Sequence, residues 1–200
     1  MEKVSIGLRA KTARAIAVVL AGGADSPRVL KRTELTLADP SVPATSYPYH
    51  EVMELPWAKA QIAVKDTLNL IEVIATTALT NLAREIEAGG LKVSRVGIVG
   101  AGARDLEKLG SAHIRAHAAE GVWFRRVLEL AAEACGLPKR TFDERRLNET
   151  AALELKRSTT ELALMLTDLG RPVGRPWRAD EKAAAVAAWL ALSSKERGRR

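Results

Sequence analysis

Cysteine, aromatic side chains and long apolar runs are all scarce in this sequence, and each scarcity narrows what the chain can be. The single cysteine, Cys135, has no partner for an internal disulfide, and its alanine-rich helical setting suits a buried, inert thiol rather than a nucleophile. Aromatic residues make up 4% of the chain. Trp57, Trp123, Trp177 and Trp189 show no repeated basic-aromatic interleaving of the kind that binds single strands, so they read as core or interface and not as stacking platforms for single-stranded nucleic acid. No run near the start is long and apolar enough for a signal sequence, and the apolar run 15–21 is too short to span a bilayer. The expectation is a cytoplasmic protein of bacterial type with no membrane partner.

What remains is ordinary for a folded α/β protein: 200 residues, 47% apolar, rich in helix formers. A single domain over 1–194 accounts for this length. Of the net charge of +7, the tail 195–200 supplies +3, and this basic segment reads as a flexible end. The basic balance permits an anionic partner, a nucleic acid or another polyanion, without identifying one.

Residues 4–8 and 15–20 are short apolar segments joined by the polar link Arg9-Ala10-Lys11-Thr12, a predicted hairpin. A turn-rich stretch at 22–27 leads to a third strand over 29–37, where Thr33-Glu34-Leu35-Thr36-Leu37 alternates polar and apolar. Four prolines between 39 and 57 exclude regular structure there, leaving a long loop whose Tyr47, Tyr49, His50 and Trp57 either pin it to the body or contact a ligand. The spacing of apolar residues predicts one long helix over 57–87, with Ile62, Leu68, Ile71 and Leu79 on its apolar face and Gly89-Gly90 as its stop. Residues 93–99 form a continuous apolar run, a central strand buried on both faces. A helix over 105–135, with a break near Gly110, follows. Residues 140–147 make a weakly alternating edge strand. Asn148 is then placed to cap a helix running to 168 with Leu153 and Leu164 on its apolar side, and a loop at 170–176 precedes a final alanine-rich helix over 179–192.

Chemistry concentrates in three places. His113, His117 and Glu120 stand at i, i+4 and i+7, one face of a continuous helix, where they serve either structural hydrogen bonding or a catalytic or metal-binding role. His50 is the remaining histidine and can join them as a metal ligand only if the fold brings it across. Gly100-Ala101-Gly102 opens like a dinucleotide fingerprint but meets Asp105 at the third glycine and lacks the usual setting, which excludes NAD; the turn's N–H groups can still hold an anion. Arg125-Arg126, Lys139-Arg140 and Arg145-Arg146 are basic pairs, either solvated surface or, aligned with Arg171, Arg175 and Arg178, a face that follows phosphates.

The order of predicted elements, and two segments in particular, resemble the ribonuclease-H-like superfamily, which includes the RuvC-type Holliday-junction resolvases and the actin-like kinases. Ile6-Gly7-Leu8-Arg9-Ala10-Lys11-Thr12 is similar to the family's opening strand, usually isoleucine-glycine-apolar-aspartate-x-glycine-threonine. Arg178-Ala179-Asp180-Glu181-Lys182 resembles the start of the last helix of RuvC-type resolvases. The resemblance implies a mixed five-stranded sheet, three antiparallel strands first, flanked by helices. It also implies carboxylates that hold two divalent cations around a phosphodiester. Here the sequence departs: Arg9 replaces the first-strand aspartate, Lys11 the glycine, and Gly100 ends the central strand where a second acid is expected. Asp180, with Glu181 beside it, is what matches. Arg9, Lys11, Thr12, Gly100 and Gly102 instead suggest an anion-binding set.

Three functional readings follow. The first is a nuclease relative that has lost two-metal catalysis and binds nucleic acid or another polyanion. The second is a metal- or histidine-dependent hydrolase with a relocated site at His113, His117 and Glu120, assisted by His50 or Asp180 and using a divalent metal. The third is a homo-oligomeric interaction scaffold.

Overall fold

In the computed structural model, which describes residues 1–102 and 104–194, the chain is organised on one five-stranded sheet. The basic tail 195–200 lies outside the described residues. Strands β1 (Glu2–Lys11), β2 (Arg14–Gly22) and β3 (Pro27–Thr36) are antiparallel in sequence, while β4 (Leu91–Gly100) and β5 (Lys139–Asp143) run parallel to β1, in the order β3-β2-β1-β4-β5. This is the mixed arrangement the resemblance implied. The polar link 9–12 is not the turn that was expected, because Arg9, Ala10 and Lys11 pair with Ile16, Ala15 and Arg14. The turn is Thr12-Ala13, with Ala13 at φ 63°.

Two helical layers cover the sheet. On one face lie α2 (Lys65–Ala88) and α3 (Ala112–Ala134), packed on Val4, Ile6 and Leu8 of β1 and on Val96 and Ile98 of β4. On the other lie α4 (Leu147–Leu155), α5 (Thr159–Leu169) and α6 (Ala179–Ser193), packed on Ile16, Val18, Leu20 and Val99. Successive side chains in a strand point to opposite faces, so Ser5, Gly7 and Arg9 of β1 face α6. Ser5 Oγ donates to the Ala188 carbonyl at 2.7 Å. At Gly7 and Gly97 an added Cβ would fall 1.8 Å and 2.0 Å from the carbonyl oxygens of Ala184 and Ala187. Glycine in the strands and alanine on the helix therefore let two backbones come together, and α6 is buried almost all round.

The helix boundaries correct the sequence reading in three places. The helix expected over 57–87 is α1 (Trp57–Ala63) and α2, interrupted at Val64 (φ −81°, ψ −9°); the break rephases the spiral, burying Val64 and leaving Ile62 exposed. Helix α3 starts at Ala112, capped by Ser111, whose side chain accepts from the Ile114 N–H; residues 105–110 are not helical. Asn148 lies inside α4 rather than capping it, and the helix expected to reach 168 stops at Lys156 in the left-handed region (φ 53°). It restarts with a capping box between Ser158 and Glu161. Leu153 and Leu164 are exposed as a result.

Candidate functional site

The carboxyl ends of β1, β4 and β5 carry two constellations, one on each face of the sheet. On the α6 face, Arg9 is 7% exposed. Its Nε donates to Asp180 Oδ1 at 3.3 Å, and its Nη2 pairs with Glu144 in the turn after β5. Lys11 Nζ meets Asp180 Oδ2 at 3.2 Å. Glu144 falls inside the strand expected over 140–147, but that strand ends at Asp143 and Glu144 opens the turn that follows. Glu181 accepts from the Arg178 N–H at 2.8 Å, anchoring the first turn of α6, and lies 3.6 Å from Arg32.

A guanidinium bonded to two carboxylates occupies the place where the resemblance puts metal-binding acids. Two cations held by carboxylates need negative charge free to face them; here Asp180 and Glu144 already face fixed cations. These residues do not fit a two-metal site. Nor are Arg9 and Lys11 free for the expected anion, because Asp180 and Glu144 take them. Thr12 sits in the hairpin turn. Gly100 packs on Arg125 and Ala10. Gly102 faces Asp143, whose Oδ2 would be 2.1 Å from an added Cβ, so a carboxylate already stands where an anion was expected.

The opposite face brings the three histidines together. The irregular loop over 39–56 is pinned by Thr45, whose Oγ1 accepts from the Asp39 N–H at 2.8 Å, and by Tyr49, stacked on Trp57 with ring centroids 5.4 Å apart. This carries His50 onto α3. The imidazole centroids lie 4.4 Å (His50–His117), 4.6 Å (His113–His117) and 5.1 Å (His50–His113) apart. Behind them Glu120, 0% exposed, takes three contacts on Oε1: the Tyr49 and His50 backbone N–H groups at 3.2 Å and His50 Nδ1 at 2.8 Å. The carboxylate accepts, so Nδ1 donates and Nε2 is turned away from it. Burial, and then the negative charge of Glu120, raises the pKa of the Tyr49 phenol. Glu120 is thus a positioning group under His50, not a third member of an exposed histidine face. Asp180 does not join this cluster: it is bonded to Arg9 on the α6 side of the sheet.

The basic pairs are largely spoken for. Arg126 pairs with Glu129 at 3.0 Å. Arg140 binds Glu154 at 2.7 Å and Ser194 Oγ at 2.7 Å near the end of α6. The turn after α5 is different. Arg171, Arg175, Arg178 and Lys182 line an open cleft of about 930 Å³. Trp177 holds this loop, its indole N–H donating to the Leu166 carbonyl at 2.6 Å and its ring against Gly170. Arg171 pairs with Asp168 at 2.9 Å, whereas Arg175 and Arg178 have no ion pair among the described residues.

The element order, the sheet and its two helical layers define a ribonuclease-H-like α/β fold. Among solved structures, the chain is similar to RuvC of Thermus thermophilus, with 16% sequence identity and a TM-score of 0.53 over 94% of this chain and 92% of that one. It is also similar to T. thermophilus RuvC in complex with a Holliday junction substrate, with 15% identity and a TM-score of 0.55 over 94% and 91% of the two chains. No protein-family model matches the sequence, and no curated protein matches it. Among the described residues, no helix is long and apolar enough to cross a membrane.

Proposed function

We propose that this protein binds nucleic acid, or a polyanion of similar charge density, on a ribonuclease-H-like scaffold that no longer cleaves by the two-metal route. The observation that carries the reading is Arg9, bonded to both Asp180 and Glu144. A fixed internal cation at that place competes with divalent metal for the same carboxylates. The cleft bearing Arg175 and Arg178, next to the start of α6, supports a route for phosphates. The fold shared with a protein solved on a Holliday junction makes branched DNA the first ligand to try.

The test measures binding of labelled single-stranded, duplex and four-way-junction DNA at several salt concentrations, with Mg²⁺ or Mn²⁺ present to score cleavage. Binding should weaken steeply with salt. Arg175→Ala/Arg178→Ala should lower affinity for all sequences alike and reduce the log–log salt slope by about 2, one for each lost phosphate contact. No cleavage product should form. Absence of binding to every DNA at low salt would sink the reading, since the electrostatic attraction is greatest there.

A further inference from the structure

We propose that His50, His113 and His117 form a site for a late first-row divalent ion, Zn²⁺ foremost, with Glu120 positioning His50 and the fourth coordination position open to an external donor. This goes beyond polyanion binding and concerns the other face of the sheet.

The first ground is convergence. One ligand atom from each histidine lies within 4.8 Å of the others, although His50 arrives on a proline-rich loop and the other two on α3. Zn–N bonds of about 2.0–2.1 Å at tetrahedral angles place nitrogens about 3.3 Å apart, so the cluster must contract. His113 and His117 are exposed and can turn their rings inward without disturbing the core.

The second ground is the carboxylate behind the cluster. A wholly buried carboxylate is costly unless positive charge is near. Among the described residues, the side chain bonded to Glu120 is the His50 imidazole, and Glu120 Oε2 has no partner. His50 Nε2 is also buried and without a hydrogen-bond partner. A cation on Nε2 satisfies that nitrogen and supplies the missing charge through the ring. Carboxylate, imidazole and metal in line is the usual way a protein fixes a ligand's tautomer and raises its basicity.

The donor set selects the ion. Three neutral imidazoles suit Zn²⁺, Cu²⁺ or Ni²⁺ and serve Mg²⁺ or Ca²⁺ poorly. No fourth histidine, cysteine or carboxylate converges with them among the described residues. Three protein ligands with one open position is the layout of sites that hold a reactive water or a small anion, whereas purely structural zinc sites close the fourth position with protein.

The full chain, stripped with chelator, would be titrated with ZnCl₂ by calorimetry and with CoCl₂ by visible absorption. One equivalent should bind, with the intense Co²⁺ bands of a tetrahedral nitrogen site that shift when azide is added. His113→Ala/His117→Ala should abolish stoichiometric uptake while the far-UV spectrum and the metal-free thermal midpoint stay unchanged, as both residues are exposed. Glu120→Gln should weaken Zn²⁺ binding 10- to 100-fold; should that variant not fold, the exposed pair still decides. Failure of the wild-type chain to take up stoichiometric Zn²⁺, or equal affinity in the double-histidine variant, would overturn the proposal and leave the cluster as a proton-sharing contact between loop and helix.

Discussion

Arg9 and Glu120 are buried charges on opposite faces of the sheet, and each is tied to a distant segment. Arg9 holds the end of β1 to the start of α6 and to the turn after β5. Replacing it with methionine keeps the apolar stem but strands two carboxylates. Because Glu144 and Asp180 retain 51% and 34% of their side-chain exposure, water recovers part of the loss. The expected cost is about 1–2 kcal/mol, below the 3–5 kcal/mol of a fully buried pair, measured as the shift of the urea midpoint at constant slope; an unshifted midpoint would show that the contact is energetically idle. The departure at Arg9 was legible, because a strand motif places it. The partnership of His50 with Glu120 was not, since the two are 70 positions apart and no periodicity links a loop residue to a helix.

At the scale of elements, the contact of α6 with the sheet depends on what is missing from it. Gly97→Ala adds one methyl group, yet the new carbon would lie 2.0 Å from the Ala187 oxygen and 2.5 Å from its carbonyl carbon. Backbone cannot step aside as a flexible side chain can, so the helix has to lift. A loss of about 2–3 kcal/mol is expected by chemical denaturation. Gly23→Ala, with nothing within 4 Å of its added carbon, should stay within about 0.5 kcal/mol. The broken helices teach a related lesson. Apolar spacing locates the helical segments, but a one-residue interruption such as Val64 leaves almost no compositional trace, whereas the Ser158–Glu161 capping box is a local signal for the restart of a helix.

For the whole molecule, charge sets the response to acid. The net charge is +7 at pH 7, so protonating carboxylates adds to an existing excess. Several acids also sit below their ordinary pKa: Glu154 through its hydrogen bond to Arg140, Glu133 through Lys139, and Glu161 through the Ser158 backbone and hydroxyl. A carboxylate whose folded pKa lies below its unfolded value contributes stability above that unfolded value and loses it as pH falls through the folded one. With the ordinary glutamate value at 4.5, stability should be level with respect to these groups from pH 7 to about 5 and decline below about 4.5. Glu154→Gln should flatten the decline, because Arg140 joins β5 to α4 and to the end of α6. Urea midpoints at a series of pH values test this, and a midpoint that holds steady down to about pH 3 would contradict it.

By itself the sequence located the strands and helical segments along the chain, because hydrophobic period and short turn motifs are local properties that a single chain displays openly. It also placed His113 and His117 on one helical face. The mixed sheet and the reversal of charge at Arg9 came from the resemblance of the first strand to the ribonuclease-H-like superfamily. Tertiary structure alone decided that His50 reaches them, that Glu120 lies beneath His50, that Asp180 belongs to the other face, and that Glu144 completes the grip on Arg9. Those facts depend on which segments cross the sheet and where loops are pinned. Such contacts join residues far apart in the chain, where no spacing rule operates.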